Sequence, residues 1–236
     1  MLELEKIDTY RGRARICCQV SLSVGEKEAV CLVGRNGAGK TTTIDSIIGL
    51  LPMRSGKITF QGKDITALPP YRRARLGIGY APEDSGLFPD LTVAENFEIC
   101  RLLAQKSGRA AQAAETDARI SAIFPEVKEL LKRRGLYLSG GQKKMVAIAR
   151  AMMLSPSILL LDEPFEGLAP VVVTRLIEAV RKIKEMKISV LIAESNLANA
   201  SRVADRLYAI DRGEIIYHGD PRKVALNQDV MNTIRG

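Results

Sequence analysis

Eight residues, Gly34-Arg35-Asn36-Gly37-Ala38-Gly39-Lys40-Thr41, carry the plainest chemistry in this chain. They fit the pattern of a glycine, four free positions and then Gly-Lys-Ser/Thr. In such a loop the glycines let successive backbone N–H groups turn inward around phosphate oxygens. Lys40 can reach β- and γ-phosphates as a point charge, and the Thr41 hydroxyl can ligate Mg²⁺. The apolar run Ala29-Val30-Cys31-Leu32-Val33 feeds the loop like a buried strand, and Thr41 to Leu50 leaves it like a helix through Thr42. A helix N-terminus adds its own partial positive charge. The stretch reads as a nucleoside triphosphate site.

Two further segments match that chemistry. Asp162 ends the apolar run Ile158-Leu159-Leu160-Leu161, the place expected for an acid that holds Mg²⁺ through water. Glu163 follows it and is the candidate to orient or activate the attacking water. Leu138-Ser139-Gly140-Gly141-Gln142 stands before a helix spanning Met145 to Met153. A serine and two glycines at a helix entrance offer a hydroxyl and backbone donors to phosphate. The chain therefore carries two phosphate-binding elements.

The elements that must position these residues can be read from periodicity. Residues 2–8 and 15–24 alternate as two antiparallel strands, with the turn at Tyr10-Arg11-Gly12-Arg13. Gly56 to Phe60 is a short strand, Pro69-Pro70 opens a helix to Leu76, and Ile78 to Ala81 is another strand. Leu91 to Ala104 has helical spacing, with Thr92 and Glu95 as a capping box. Lys106 to Asp117 is either loop or helix extension, and Ile120 to Arg134 reads as a helix broken at Pro125. After residue 153 an alternation of strands and helices resumes, with Val171 to Lys187 a helix and Ile188 to Ala193 a buried strand. A short helix from Asn196 to Val203 and strands at 206–211 and 214–218 follow, and Pro221 to Gly236 is a terminal helical pair. This pattern predicts an α/β fold with parallel strands. The expected division is an ATP-binding core (1–87 and 153–220), a helical insertion (88–152) and a tail (221–236).

Composition narrows the classes. The 236 residues suit one large α/β domain or a core with a modest subdomain. No apolar run approaches a membrane span, and the acidic, alternating start is unlike a signal peptide, so a cytosolic protein is expected. Four cysteines without C-x-x-C spacing and a single histidine, His218, read as packing residues rather than a zinc site. The net charge of +8 suits an acidic partner such as ATP. Its basic residues are scattered, including Arg72-Arg73 and Lys143-Lys144, and only 5% of the chain is aromatic. That argues against nucleic-acid stacking and for a mostly solvated charge.

From Met1 to about His218 the chain resembles the nucleotide-binding subunits of ABC transporters. Leu138 to Gln142 is similar to the signature motif of that family, and Leu161-Asp162-Glu163-Pro164 to its Walker B segment. The resemblance implies a P-loop NTPase (RecA-like) core with an antiparallel β subdomain and an inserted α-helical subdomain. It also implies ATP hydrolysis with Mg²⁺, and two ATPase chains, alike or different, that sandwich ATP head to tail. Leu138, Ser139, Gly140, Gly141 and Gln142 would then complete a site on the partner chain. Tyr10 lies where the family stacks an aromatic on adenine, and Glu83 where most members place a glutamine that touches Mg²⁺. Glu166-Gly167-Leu168-Ala169-Pro170 and Ala81-Pro82-Glu83 resemble the branched-chain amino-acid importers. These imply membrane permease subunits, a periplasmic solute-binding protein, a place on the inner face of the cell membrane and no nucleic acid.

Ser195 occupies the switch position, where most members carry histidine. Serine is too short to reach the γ-phosphate from the same backbone position without a bridging water, and it cannot carry a proton as imidazole does. Slow hydrolysis at this chain's own site is therefore expected. Two alternatives stand beside transport: a soluble ABC-type ATPase acting on nucleic acid or ribosomes, and a slow nucleotide-sensing partner in a heterodimer.

Overall fold

The computed structural model describes residues 1–106, 113–224 and 226–235. Strands β1 (Leu2–Arg11) and β2 (Ala14–Val24) form an antiparallel hairpin. The sequence reading ends the first strand before Tyr10. Here β1 runs on, pairing Tyr10 with Arg15 and Arg11 with Ala14, because Gly12 at φ 62° turns the chain within two residues. Next come β3 (Ala29–Val33) and α1 (Lys40–Ile48), the latter closed by Gly49 in the left-handed conformation at φ 82°. β4 (Met53–Phe60) starts earlier than the sequence suggests, because Met53 and Ser55 pair with β1. A two-residue β5 (Lys63–Asp64) completes a four-stranded sheet in the order β2-β1-β4-β5.

The second sheet is the platform for the site. α2 (Pro70–Leu76) leads to β6 (Ile78–Ala81), and helices follow: α3 (Val93–Lys106), α4 (Ala113–Ile123) and α5 (Val127–Leu130). Thr92 and Glu95 make the expected capping box on α3, with Glu95 N–H donating to Thr92 Oγ1 at 3.2 Å and Thr92 N–H to Glu95 Oε2 at 2.7 Å. The open choice between loop and helix at 106–117 falls partly on 107–112, outside the described residues. The helix expected from Ile120 to Arg134 with a break at Pro125 is two pieces, the first beginning earlier, at Ala113, and the second ending at Leu130. α4 stops at Ile123 ahead of Pro125, and beyond α5 Arg134 bridges to Thr92. A 3-10 turn at Gly135–Tyr137 delivers the chain to α6 (Gly140–Met152).

The α/β alternation then closes the fold with β7 (Ile158–Asp162), α7 (Pro170–Glu185), β8 (Ser189–Glu194), α8 (Leu197–Ser201), β9 (Arg206–Asp211) and β10 (Glu214–Gly219). α9 (Pro221–Val224) and α10 (Gln228–Arg235) form the expected terminal pair. The sheet order is β10-β9-β3-β8-β7-β6, all parallel except β10. Every residue of β3, β7 and β8 is buried, which explains their uninterrupted apolar runs.

Side chains of these strands feed two cores alternately. Cys31, Val33, Leu159 and Leu161 pack with the α3–α7 helices, whereas Val30, Leu32, Ile158 and Leu160 pack toward α1 and the antiparallel sheet. Each such aliphatic side chain contributes about 1.5–3 kcal/mol on burial. One basic residue counted as solvated lies inside. Arg73 is buried, and its guanidinium donates to the carbonyls of Ser46, Ile47, Thr66 and Leu68, tying the end of α1 to α2. Among the described residues no helix is long and apolar enough to cross a membrane.

Candidate active site

The glycine-rich loop leaves β3 at the carboxyl edge of the parallel sheet, where an open α/β sheet binds its ligands. Gly34 has to be glycine, since a Cβ there would stand 2.3 Å from the carbonyl oxygen of Ile210 in β9. Gly37 and Gly39 take φ of 83° and 112°, which lets the loop curl into the N-terminus of α1. Lys40 is only 5% exposed. Its ammonium donates to the carbonyls of Gly34 at 2.8 Å and Arg35 at 3.1 Å and pairs with Glu163 Oε1 at 2.9 Å.

Asp162 and Glu163 arrive from β7, next to β8. The Thr41 hydroxyl donates to Asp162 Oδ1 at 3.3 Å, while Asp162 Oδ2 is buried with no partner among the described residues. Burial pushes the Asp162 carboxyl up to about 6; the Thr41 bond opposes this, and the charges of Glu163, Glu83 and Asp45 reinforce it. Glu163 is 3% exposed and holds φ at +45°, a region that costs a non-glycine residue about 1–3 kcal/mol. Its N–H donates to Ala193 O at 2.9 Å, which anchors the turn to β8.

Ser195 does something the sequence did not reveal. Its N–H at 3.0 Å and hydroxyl at 3.2 Å both donate to Glu163 Oε2, so the short side chain grips the candidate base instead of leaving a gap beside it. The preceding Glu194 is buried and accepts the N–H groups of Ser195 and Asn196 on Oε1, and among the described residues Oε2 has no hydrogen-bond partner. Burial, with the nearby Glu163 carboxylate, holds Glu194 well above the ordinary carboxylate range.

Glu194 and Ser195 face a neighbouring hollow, whereas Lys40, Thr41 and Glu163 line a cleft of about 480 Å³, to which Asp162 is tied through Thr41 without lining it. Asn36, Gly37, Gly39, Lys40, Thr41 and Thr42 form its floor, and Glu83, Glu163 and Glu166 one side. Arg11 and Ile16 come from the hairpin; Arg11 donates to Thr42 Oγ1 at 3.1 Å and to Asp45 Oδ2 at 2.6 Å. Tyr10 is not in this cleft. It lines an adjoining hollow that shares Arg11, with the Arg54 guanidinium 5.3 Å from its ring centre. Gly34 and Ala38 lie beneath the loop and do not line the cleft.

The other glycine turn stays apart. Ser139 caps α6, its Oγ accepting Gln142 N–H at 3.3 Å while Gln142 Oε1 accepts Ser139 N–H at 3.0 Å. Leu138 is buried beneath it. Gly141 packs so closely on α7 that a Cβ would meet Val172 at 2.8 Å. None of these residues lines the cleft over Lys40. Sequence reasoning also missed Lys144, which sits one helical turn from the cap and donates to the carbonyls of Glu83 and Glu163 at 2.7 Å each. Its place two residues after Gln142 is the one signal the sequence offers.

A strand–loop–helix phosphate cradle, an acid pair on the adjoining sheet edge and a detached glycine turn define an ATP-binding cassette. The chain matches the ABC transporter family over residues 17–166. It is similar to the high-affinity branched-chain amino acid transport ATP-binding protein BraG of Pseudomonas aeruginosa, 33% identical over 236 residues and covering 100% of both chains. The lipopolysaccharide export system ATP-binding protein LptB of Escherichia coli is 35% identical over 227 residues, covering 96% of this chain and 93% of that one. A crystal structure of an ATP-binding cassette of an ABC transporter in its ADP conformation superposes with a TM-score of 0.84 at 30% identity, covering 100% of this chain and 98% of the other. The chain belongs to the ABC transporter family. It is an ATPase, the ATP-binding subunit of a transporter.

Proposed function

We propose that the chain binds Mg-ATP over Gly34–Thr41, hydrolyses it with Glu163 as general base, and works as one half of an ATPase pair on membrane permease subunits. The observation that carries this reading is that Lys40 and Thr41, at the mouth of α1, bond directly to Glu163 and Asp162 at the end of β7, with Thr41 and Asp162 lying 121 residues apart in sequence. Backbone N–H groups from Asn36 to Thr42 receive phosphate oxygens, and Tyr10 offers an edge for adenine beside the cleft. Thr41 and Asp162 would hold Mg²⁺, with Glu83 nearby; the buried, unpartnered Asp162 Oδ2 is an acceptor that fits a cation. Bound Mg²⁺ offsets charge on the β- and γ-phosphate oxygens.

Incoming phosphates draw the Lys40 ammonium away from Glu163 Oε1, freeing that carboxylate. Glu163 then takes a proton from water as the water oxygen attacks the γ-phosphorus. The bond from that phosphorus to the bridging oxygen breaks, and its electron pair leaves with ADP. Glu163→Gln should lower kcat by about a thousandfold while ATP binding persists, read as phosphate release beside equilibrium binding of a fluorescent ATP. Hydrolysis surviving in that variant would remove Glu163 from the base role.

The solute we assign is a branched-chain amino acid or a similar small polar molecule, imported from a periplasmic solute-binding protein. Likeness to BraG over the full length and the segments around Glu83 and Glu166 support this. The comparable likeness to LptB makes export the rival. Pull-down of the chain from a detergent extract should recover membrane subunits rather than RNA, and vesicles holding that complex should take up leucine only with ATP. Active ATPase without leucine uptake would overturn the solute.

A second reading concerns rate. The Ser195 grip on Glu163 Oε2 ties the base to β8 and supports slow hydrolysis at this chain's own site. Ser195→His should then raise the single-turnover rate several-fold; no gain would dismiss the idea.

A further inference from the structure

We propose that Lys144 is a positioning residue for hydrolysis: it locks the strained Glu163 turn and the Glu83 segment to the helix that carries Ser139–Gln142. The inference rests on the reading above, in which Glu163 takes the proton from water.

Three observations converge on it. Lys144 is half-buried, and its ammonium spends two hydrogen bonds on main-chain carbonyls, those of Glu83 and Glu163, at 2.7 Å each. Glu163 is held at φ +45° with its N–H bound to Ala193 O. Among the described residues its carbonyl is otherwise met only by a long 3.4 Å contact from Glu166 N–H, so Lys144 supplies the strong bond on that side of the turn. Glu83 and Glu163 both line the cleft over Lys40, so one ammonium fixes the backbone of two of its acidic walls. Burial works against the lysine's charge, while Glu83, Glu166, Asp162 and Glu163 around it favour keeping the proton.

The position on α6 adds a consequence. Lys144 lies within one turn of Gln142, whose side chain closes the cap on Ser139. A ligand engaging Ser139–Gln142 therefore acts on the same rigid turn that sets the direction of Glu163. A surface lysine would contribute solubility alone; two short bonds to buried-site carbonyls do not fit that role.

The test uses the full chain as wild type, Lys144→Met, Lys144→Arg and Glu163→Gln. Wild-type hydrolysis abolished by Glu163→Gln checks the underlying reading separately. Lys144→Met should lower kcat roughly ten- to a hundredfold, the scale of a small misplacement of a catalytic group. The Kd for ATP should stay within about twofold, as an effect confined to the chemical step requires. Lys144→Arg, which keeps charge and donors, should recover part of the loss, and adding Lys144→Met to Glu163→Gln should lower single turnover no further. If Lys144→Met does not fold, as judged by its circular dichroism melt, Lys144→Gln is read by the same criteria. Unchanged kcat in a folded variant, no recovery by arginine, or an added loss on the Glu163→Gln background would each overturn the proposal.

Discussion

The loop Gly34–Thr41 and the turn Ser139–Gln142 are both glycine-bearing entrances to helices, yet their surroundings are opposite. Around the first, Lys40, Asp162 and Glu163 are buried, Lys40 is already paired with Glu163, and one carboxylate oxygen of Asp162 has no partner among the described residues. Around the second, Ser139 and Gly140 are exposed and the polar bonds stay within the cap. Burying charges costs several kcal/mol unless they are fully paired, whereas a helix cap is stable by itself. The first region therefore holds an electrostatic cost that a cationic and phosphate ligand relieves. The second is a finished local structure with a free outer face, suited to meet a ligand held by another chain.

Predictions that sharpen this contrast run from the loop to the turn. Asp162 has a folded pKa of about 6 against 3.8 for the free side chain, so the folded state binds more protons than the unfolded between those values. Stability of the ligand-free chain should then fall as pH rises from about 4 to 6 and stay low above that. Asp162→Asn should raise stability at pH 8 by on the order of 2 kcal/mol and at pH 4 by little, measured by urea unfolding. Equal gains at both pH values would mean that the loop stores no such cost. At the turn, Ser139→Ala should remove about 1 kcal/mol, with no pH dependence in the same assay. A loss several times larger would show that the turn too is bound into the core, and the contrast would collapse.

Much of this was legible because the relevant signals are local. β3, β7 and β8 are buried on both faces and so read as apolar runs, and the glycines at 37 and 39 are demanded by positive φ within the loop. The capping box at Thr92 needs only residues three apart, whereas the equally local box at Ser139 is found in the structure and not in the sequence reading. What escaped depends on which strands become neighbours. Ser195 reaches Glu163 only because β8 lies beside β7, and Lys144 reaches its carbonyls only because α6 packs over that edge. Arg73 looks like surface charge beside Arg72 until the end of α1 brings two carbonyls, those of Ser46 and Ile47, to its guanidinium. Tyr10 was assigned to a turn because alternation fades there, but a glycine-tightened hairpin carries the strand past it.

The central claim is that Gly34–Thr41 is half of a site and Ser139–Gln142 of a second chain is the other half. It is tested most directly by mixing two variants of this chain, Lys40→Ala and Gly140→Val, the latter at an exposed position where a Cβ meets only Leu168 at 3.7 Å, and measuring ATP hydrolysis. Each variant alone carries one broken half in every site and should be inactive. The mixture should recover roughly a quarter of wild-type activity, since half of the dimers are mixed and each holds one intact site. Full activity in either variant alone, or a mixture no better than its components, would contradict the account.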